Sequence, residues 1–451
     1  MAATFFIFIF GGLAAAFAAR QLPEHLRRLA YFAYAAHVLA AFGQVWMHLI
    51  YYGGGDMMTY MRNGAGMARL LEIDFTRWFP QIVRMFLHMT TEMPYVHGQG
   101  GTSGSMVVLG ALAVWIFDDK LPVWQCCALT AATSTLGQIW MVRASLVMFP
   151  DAKIQPTVAK AIFFVPSVVF WSSALLKEAV AFPFLAMLLA SSVALINGKL
   201  ARGILGLLVG AIGVGLIKGY MLAPFVIAIA GAAFTARRSG DGSAAFRFFS
   251  VLGGFAVAAF GLAAISVVFP EYAPHHIAET TAQYQTTYEY LEGVGQGGSN
   301  IDLSQEGDVS LAGQVALVPM AFVNALFRPA IFEVRSIVQA AAALETLLIM
   351  VLFIRLVWRN PATLVKKIMA SPPLTFCIIF VLTFGIAVGL STLNLGTLSR
   401  YRIPMMPFFF VLLFVIGHQT QEERAARLEQ EVAGPRMPRR PRRPLRPPVT
   451  S

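Results

Sequence analysis

Apolar runs close to the length of a membrane-crossing helix succeed one another along the chain, separated by short polar stretches. A helix needs about 20 apolar residues to cross a hydrocarbon core about 30 Å thick. The pattern predicts about eleven spans, near 4–19, 29–51, 105–118, 121–148, 161–196, 203–217, 220–235, 246–269, 335–357, 373–391 and 403–418. The stretch 312–330 is also apolar, but Pro319 and the triplet "FRP" interrupt it, so an interfacial or re-entrant helix is expected there. The first run, "TFFIFIFGGLAAAFAA", has the apolarity of a signal peptide. Only Met1, Ala2 and Ala3 precede it, without a basic residue, so it is read as a retained first span.

Composition agrees with this pattern. The 451 residues are 57% hydrophobic and 13% charged, with a mean hydropathy of +0.66, which excludes an ordinary soluble protein. The expected fold class is therefore all-α, a polytopic transmembrane helical bundle. Cys126, Cys127 and Cys377 lie in apolar runs without ligand spacing and imply neither a disulfide framework nor a metal site.

Charge sets the expected orientation. Basic clusters occur at 20–28, 197–203, 236–247 and 355–367 and in the tail "PRMPRRPRRPLRPP", whereas 270–310 holds seven carboxylates and no Lys or Arg. Cytoplasmic loops carry the Lys/Arg excess, so the N-terminus is placed outside and the C-terminus in the cytoplasm. Residues 1–418 would form the bundle, with external segments 52–104 and 270–311. Residues 419–451 would be a disordered Arg/Pro-rich tail held against anionic lipid, with no nucleic acid as partner. No internal repeat of the kind that marks many transporters is visible.

With this topology the unusual polar residues collect at the external surface. After span two, "YYGGGDMMTY" frees the backbone to turn at three glycines, and Asp56 follows, with Tyr60 four residues on. Asp56 is read either as the cap of a short helix or as a carboxylate held rigidly enough to act as a base. In "VPSVVFWSSALLKEAV", Ser167, Trp171, Ala174 and Glu178 fall on one stripe of a continuous helix, with Lys177 beside it. Glu178 would then lie roughly 18 Å from Pro166. Ionisable residues at such depth are functional candidates unless they pair or snorkel.

The turn "STLNLGTLSRYRIPMMPF" supplies Asn394, Arg400 and Arg402 ahead of a Pro-marked helix, a combination suited to a phosphate. Arg328 with Glu333, and Lys218 in "LIKGY", are expected at the same level. His275, His276 and His97 lack acids at ligand spacing, so no metal site is expected.

The layout resembles the GT-C class of integral-membrane glycosyltransferases, over about residues 30 to 415. The resemblance rests on "GGGD" with Asp56, on Pro166, Trp171, Ser172, Lys177 and Glu178, and on "RYRIPMMP". The acidic loop here follows the second apparent span rather than the first, and no large soluble domain follows. Bacterial polysaccharide polymerases and ligases share much of this architecture.

The resemblance implies a bacterial inner-membrane glycosyltransferase or polymerase for envelope or exported polysaccharide. It would use a polyprenyl-linked sugar donor and a saccharide or lipid-linked acceptor. Asp56 and Glu178 would be catalytic, and Tyr60, Trp171, Lys177, Lys218, Arg328, Asn394, Arg400 and Arg402 would bind substrate. No obligatory cofactor is expected, although a divalent metal is compatible with the chemistry. The alternatives are a lipid-linked oligosaccharide flippase or transporter, and a non-catalytic membrane subunit of a secretion complex.

Overall fold

A computed structural model describes residues 2–94, 96, 98–238, 310–359, 361 and 363–432, together with 263, 279, 281–283 and 285–287. The expected span 246–269, nearly all of the external segment 270–311, His97, His275 and His276 and the 435–451 tail lie outside the described residues. The described residues form helices and no strand. Seven helical stretches are long and apolar enough to cross a membrane: Ala2–Ala19, Glu24–Tyr51, Lys177–Ile196, Leu200–Ala236, Ile337–Arg359, Pro372–Ser391 and Leu395–Ala426. The chain is thus a helical membrane protein, and seven such stretches among the described residues stand where eleven spans were expected.

The helices are α1 (Ala2–Ala19), α2 (Glu24–Trp46, continued by a π-helical turn Met47–Tyr51), α3 (Asp56–Ile73), α4 (Phe75–Phe86), α5 (Thr102–Phe117) and α6 (Val123–Met148). There follow α7 (Gln155–Phe163), α8 (Pro166–Trp171), α9 (Lys177–Ile196), α10 (Leu200–Lys218) and α11 (Leu222–Arg238). The last are α12 (Leu311–Phe327), α13 (Ile337–Arg359), α14 (Leu364–Met369), α15 (Pro372–Ser391), α16 (Leu395–Tyr401) and α17 (Met406–Val432). One packed group is α1, α2, α6, α9 and α10; a second is α11, α12, α15 and α17, with α7 seated on α17. Lys218 leaves helical dihedrals (φ −152°, ψ 60°), so the stretch Leu200–Ala236 turns a corner between α10 and α11. Helix α17 runs on to Val432, so the boundary expected at 418/419 falls inside a helix.

The expected continuous span 161–196 is broken twice. Val165 is extended, as the residue before a proline tends to be, and Pro166 opens α8 at a position where its missing N–H is not needed. Residues 172–176 then leave the helix, and α9 begins at Lys177 after an extended Leu176. Ser167, Trp171, Ala174 and Glu178 therefore do not form a stripe on one helix. Lys177 and Glu178 open a new one.

A helix broken inside a bundle frees carbonyls that need partners. Here α2 and α6 provide donors: Gln138 Nε2 donates to Ile162 O at 3.1 Å, Gln44 Nε2 to Phe170 O at 2.9 Å, and Ser134 Oγ to Ser172 O at 2.7 Å. From α13, Glu345 accepts from both the N–H and the hydroxyl of Ser167, each at 2.7 Å, and so holds the start of α8.

Helices α3 and α5 approach through glycine. A Cβ on Gly110 would lie 2.6 Å from Tyr60 O and 2.9 Å from Met61 N, and one on Gly64 would lie 2.5 Å from Ala111 N. These neighbours are backbone atoms and cannot move aside as a side-chain tip could. Gly110→Ala is expected to destabilise the protein by about 1–3 kcal/mol, read as a lower melting temperature in detergent. Gly66→Ala, where a Cβ meets nothing within 4 Å, is expected to be neutral or to stabilise α3 by up to about 1 kcal/mol.

Candidate ionic site at one end of the bundle

The turn after α2 works as the triglycine suggests. Gly53 and Gly55 take positive φ (60° and 115°), and α3 starts at Asp56. A Cβ on Gly55 would also press on the His48 ring at 3.1 Å. Asp56 does not cap its helix with its side chain. Its carboxylate reaches across to Arg400 on α16, with Oδ2 2.7 Å from the guanidinium.

Arg400 joins two carboxylates, because its Nε also lies 3.6 Å from Glu178 Oε2. The other oxygen of Glu178 takes Lys218 Nζ at 2.5 Å. Lys218 is the last residue of α10, where a cation suits the helix dipole. Its ammonium also stands 3.9 Å above the Tyr401 ring. Side-chain exposure separates the members of the cluster: Glu178 is 1% exposed, Lys218 3%, Arg400 16% and Asp56 46%.

Lys177 differs from these cations. Its ammonium is held by two hydroxyls, Thr102 and Ser103, at 2.9 Å each. Among the described residues no carboxylate lies within ion-pair distance of it. Asp56, Glu178, Lys218 and Arg400 all act on it electrostatically, so among the described residues three cations face two carboxylates. The site also collects the starts of α3, α5 and α9, whose N–H groups favour an anion. Glu178 Oε2 and Arg400 Nε are buried and face each other at 3.6 Å, an ion pair slightly too long for a hydrogen bond.

Tyr60 is buried within electrostatic reach of the cluster. Burial first, and then the charge of Asp56, push its phenol well above the ordinary range, so it stays a neutral donor. His48, which the sequence reading passed over, belongs here too. It is 4% exposed, is bonded through Nδ1 to Gln44 O at 2.9 Å, and feels both Arg400 and Asp56. Its position in a π-helical turn has no sequence signature, but such turns are frequent at functional sites.

Three expected ligands have other occupations. Arg402 is completely buried and spends its guanidinium on Leu326 O (3.3 Å), Arg328 O (2.9 Å) and Thr346 Oγ1 (3.0 Å). It ties α17's approach to α12 and α13 and offers no surface to a phosphate. Arg328 pairs with Glu333. Partial burial opposes ionisation of Glu333, but the Arg328 hydrogen bonds and the Ala330 N–H hold its carboxyl below the usual range. Asn394 caps α16, accepting from the N–H groups of Gly396 and Thr397.

Trp171 lies apart from the charges, in the wall of an apolar crevice of about 560 Å³ between α2, α8 and α13. Met47 lines the same crevice, next in sequence to His48. Glu178, expected to touch substrate, is instead enclosed, and it holds Lys218 and Arg400 in place. No group of three or more metal-binding side chains occurs among the described residues.

Removing one partner of a buried pair strands the other and costs about 3–5 kcal/mol. Glu178→Gln or Lys218→Met alone is expected to lower stability by about that much. The double variant is expected to recover part of the loss, measured as a thermal double-mutant cycle on purified protein. Compared with protein-family models, with curated proteins and with solved structures, the chain matches none of them.

Proposed function

We propose that the chain is a membrane glycosyltransferase or polymerase that takes sugar from a polyprenyl-phosphate or -diphosphate carrier. In this reading the bundle is GT-C-like with about eleven spans, lies in a bacterial inner membrane, and turns the ionic site outward. One observation carries the proposal: a cation with no carboxylate partner among the described residues and three helix N-termini converge where a half-exposed carboxylate also sits, close in sequence to an apolar crevice. That combination suits an amphiphile with a phosphate head and a long hydrocarbon tail.

The parts divide the chemistry. Lys177, supported by the helix N-termini, meets the phosphate, and Arg400 stands behind it as a second positive charge. The acceptor hydroxyl attacks the anomeric carbon, the bond from that carbon to the phosphate oxygen breaks, and the phosphate leaves with the electron pair. Asp56 takes the hydroxyl proton as general base. Positive charge fixed at the leaving phosphate lowers the barrier because it is already in place when negative charge develops. Glu178 keeps Lys218 and Arg400 from relaxing away.

A flippase would need polar groups lining a path through the bilayer. Gln44, Ser134 and Gln138, buried on α2 and α6, bind backbone carbonyls instead, which favours the enzyme.

Asp56→Asn is expected to reduce incorporation of sugar from polyprenyl-linked donors by about 10²- to 10⁴-fold, with the melting temperature close to that of the wild type. Polyprenyl monophosphate is expected to raise the melting temperature of the wild-type protein and not that of Lys177→Met. Undiminished incorporation by Asp56→Asn would remove the proposed base.

A further inference from the structure

A second charged cavity lies far along the bundle from the ionic site. Between α7, α13 and α17 is a crevice of about 320 Å³, rimmed by Arg355, Arg359 and Arg424 and walled by Leu356, Leu413 and Phe414. From Met406, beside Arg402, to Arg424 is eighteen residues of α17, roughly 27 Å along the axis, close to the thickness of a hydrocarbon core. Trp358, 82% exposed, sits next to Arg359 as an interfacial anchor would. The outer face of α13 exposes Leu344, Leu348, Val351 and Ile354, which suits contact with acyl chains.

Among the described residues no Asp or Glu lines the crevice, and the charges of Arg355 and Arg424 both bear on Arg359. Of the acids beside it, Glu422 contacts Lys153 and His418, the latter on the crevice wall, and Glu423 pairs with Lys367, so neither meets the three arginines. Three guanidiniums that repel one another at the mouth of an apolar cleft form a stable arrangement once an anion joins them. Guanidinium forks match phosphate oxygens in geometry as well as charge.

We propose that this crevice binds the phosphate head of an anionic membrane phospholipid, with the start of its acyl chains against Leu356, Leu413 and Phe414. Basic pockets between membrane helices hold acidic lipid heads in this way. The site is independent of the proposed transferase chemistry and at the other end of the bundle from it.

The test uses the full-length protein purified in neutral detergent, titrated with phosphatidylglycerol, with phosphatidylcholine or with inorganic phosphate, and followed by melting temperature and native mass spectrometry. Phosphatidylglycerol is expected to stabilise the protein and to remain bound, whereas phosphatidylcholine and phosphate do neither. The triple variant Arg355→Gln, Arg359→Gln, Arg424→Gln replaces exposed side chains and is expected to fold normally. It should bind phosphatidylglycerol about a hundredfold more weakly. Gly417→Leu, which places a side chain where a Cβ now meets nothing within 4 Å, should weaken binding with all three arginines present. Equal stabilisation by phosphatidylcholine, an equal effect of inorganic phosphate, or undiminished binding in the triple variant would each overturn the proposal.

Discussion

Every feature of the ionic site depends on a helix that is interrupted inside a membrane bundle and still leaves its backbone satisfied. An unpaired carbonyl in such surroundings costs several kcal/mol, so the break between α7 and α9 can exist only where donors are delivered to it. Gln44, Ser134 and Gln138 deliver them from two neighbouring helices, and Glu345 receives the donors of Ser167. His37 extends the same network, with its ring nitrogens 2.9 Å from Ser173 Oγ and 3.1 Å from Gln138 Oε1. Without these partners α9 would have no reason to start at Lys177, and the two charges would be turned onto the flank of a long apolar helix.

The second constraint is electrostatic. Buried ion pairs seldom add net stability, because desolvation consumes most of the Coulomb gain. Their use here is positional: Glu178, Lys218 and Arg400 come from three distant segments and hold α9, α10 and α16 in one register. The exposed carboxylate, Asp56, hangs on the same guanidinium. Two carboxylates in one cluster thus acquire different roles from their surroundings, the enclosed one fixing the cations and the open one remaining reachable by solvent.

Much of this was legible in the sequence, for reasons that are local. Apolar run length gave the helical membrane class, and the triglycine gave the turn ahead of Asp56. Lys177 and Glu178 stood out because charge in apolar surroundings is costly, Asp56 because it follows the triglycine, and Arg400 because it precedes a Pro-marked helix. What failed was whatever depends on a partner far along the chain. Arg402 and Arg400 are alike in sequence and two residues apart, yet one faces carbonyls of 326 and 328 and the other a pair of carboxylates. Nothing within the motif distinguishes them. His48 and Gln138 escaped notice because a single polar residue on an apolar helix does not state what it will bond. The continuous stripe from Ser167 to Glu178 failed because helical spacing was carried through residues 172–176, where the chain is not helical.

The two ends of the bundle treat positive charge in opposite ways, and the difference follows from what surrounds it. At the α3–α9 end Lys218 and Arg400 are enclosed together with carboxylates, whereas Lys177 is held by hydroxyls and Arg402 by two carbonyls and a hydroxyl. At the far end Arg355, Arg359 and Arg424 are exposed, where water and lipid heads can do the screening, and internal carboxylates are not required. Lys177, held by hydroxyls and seated among helix N-termini, is the position at which the proposed phosphate head would add negative charge.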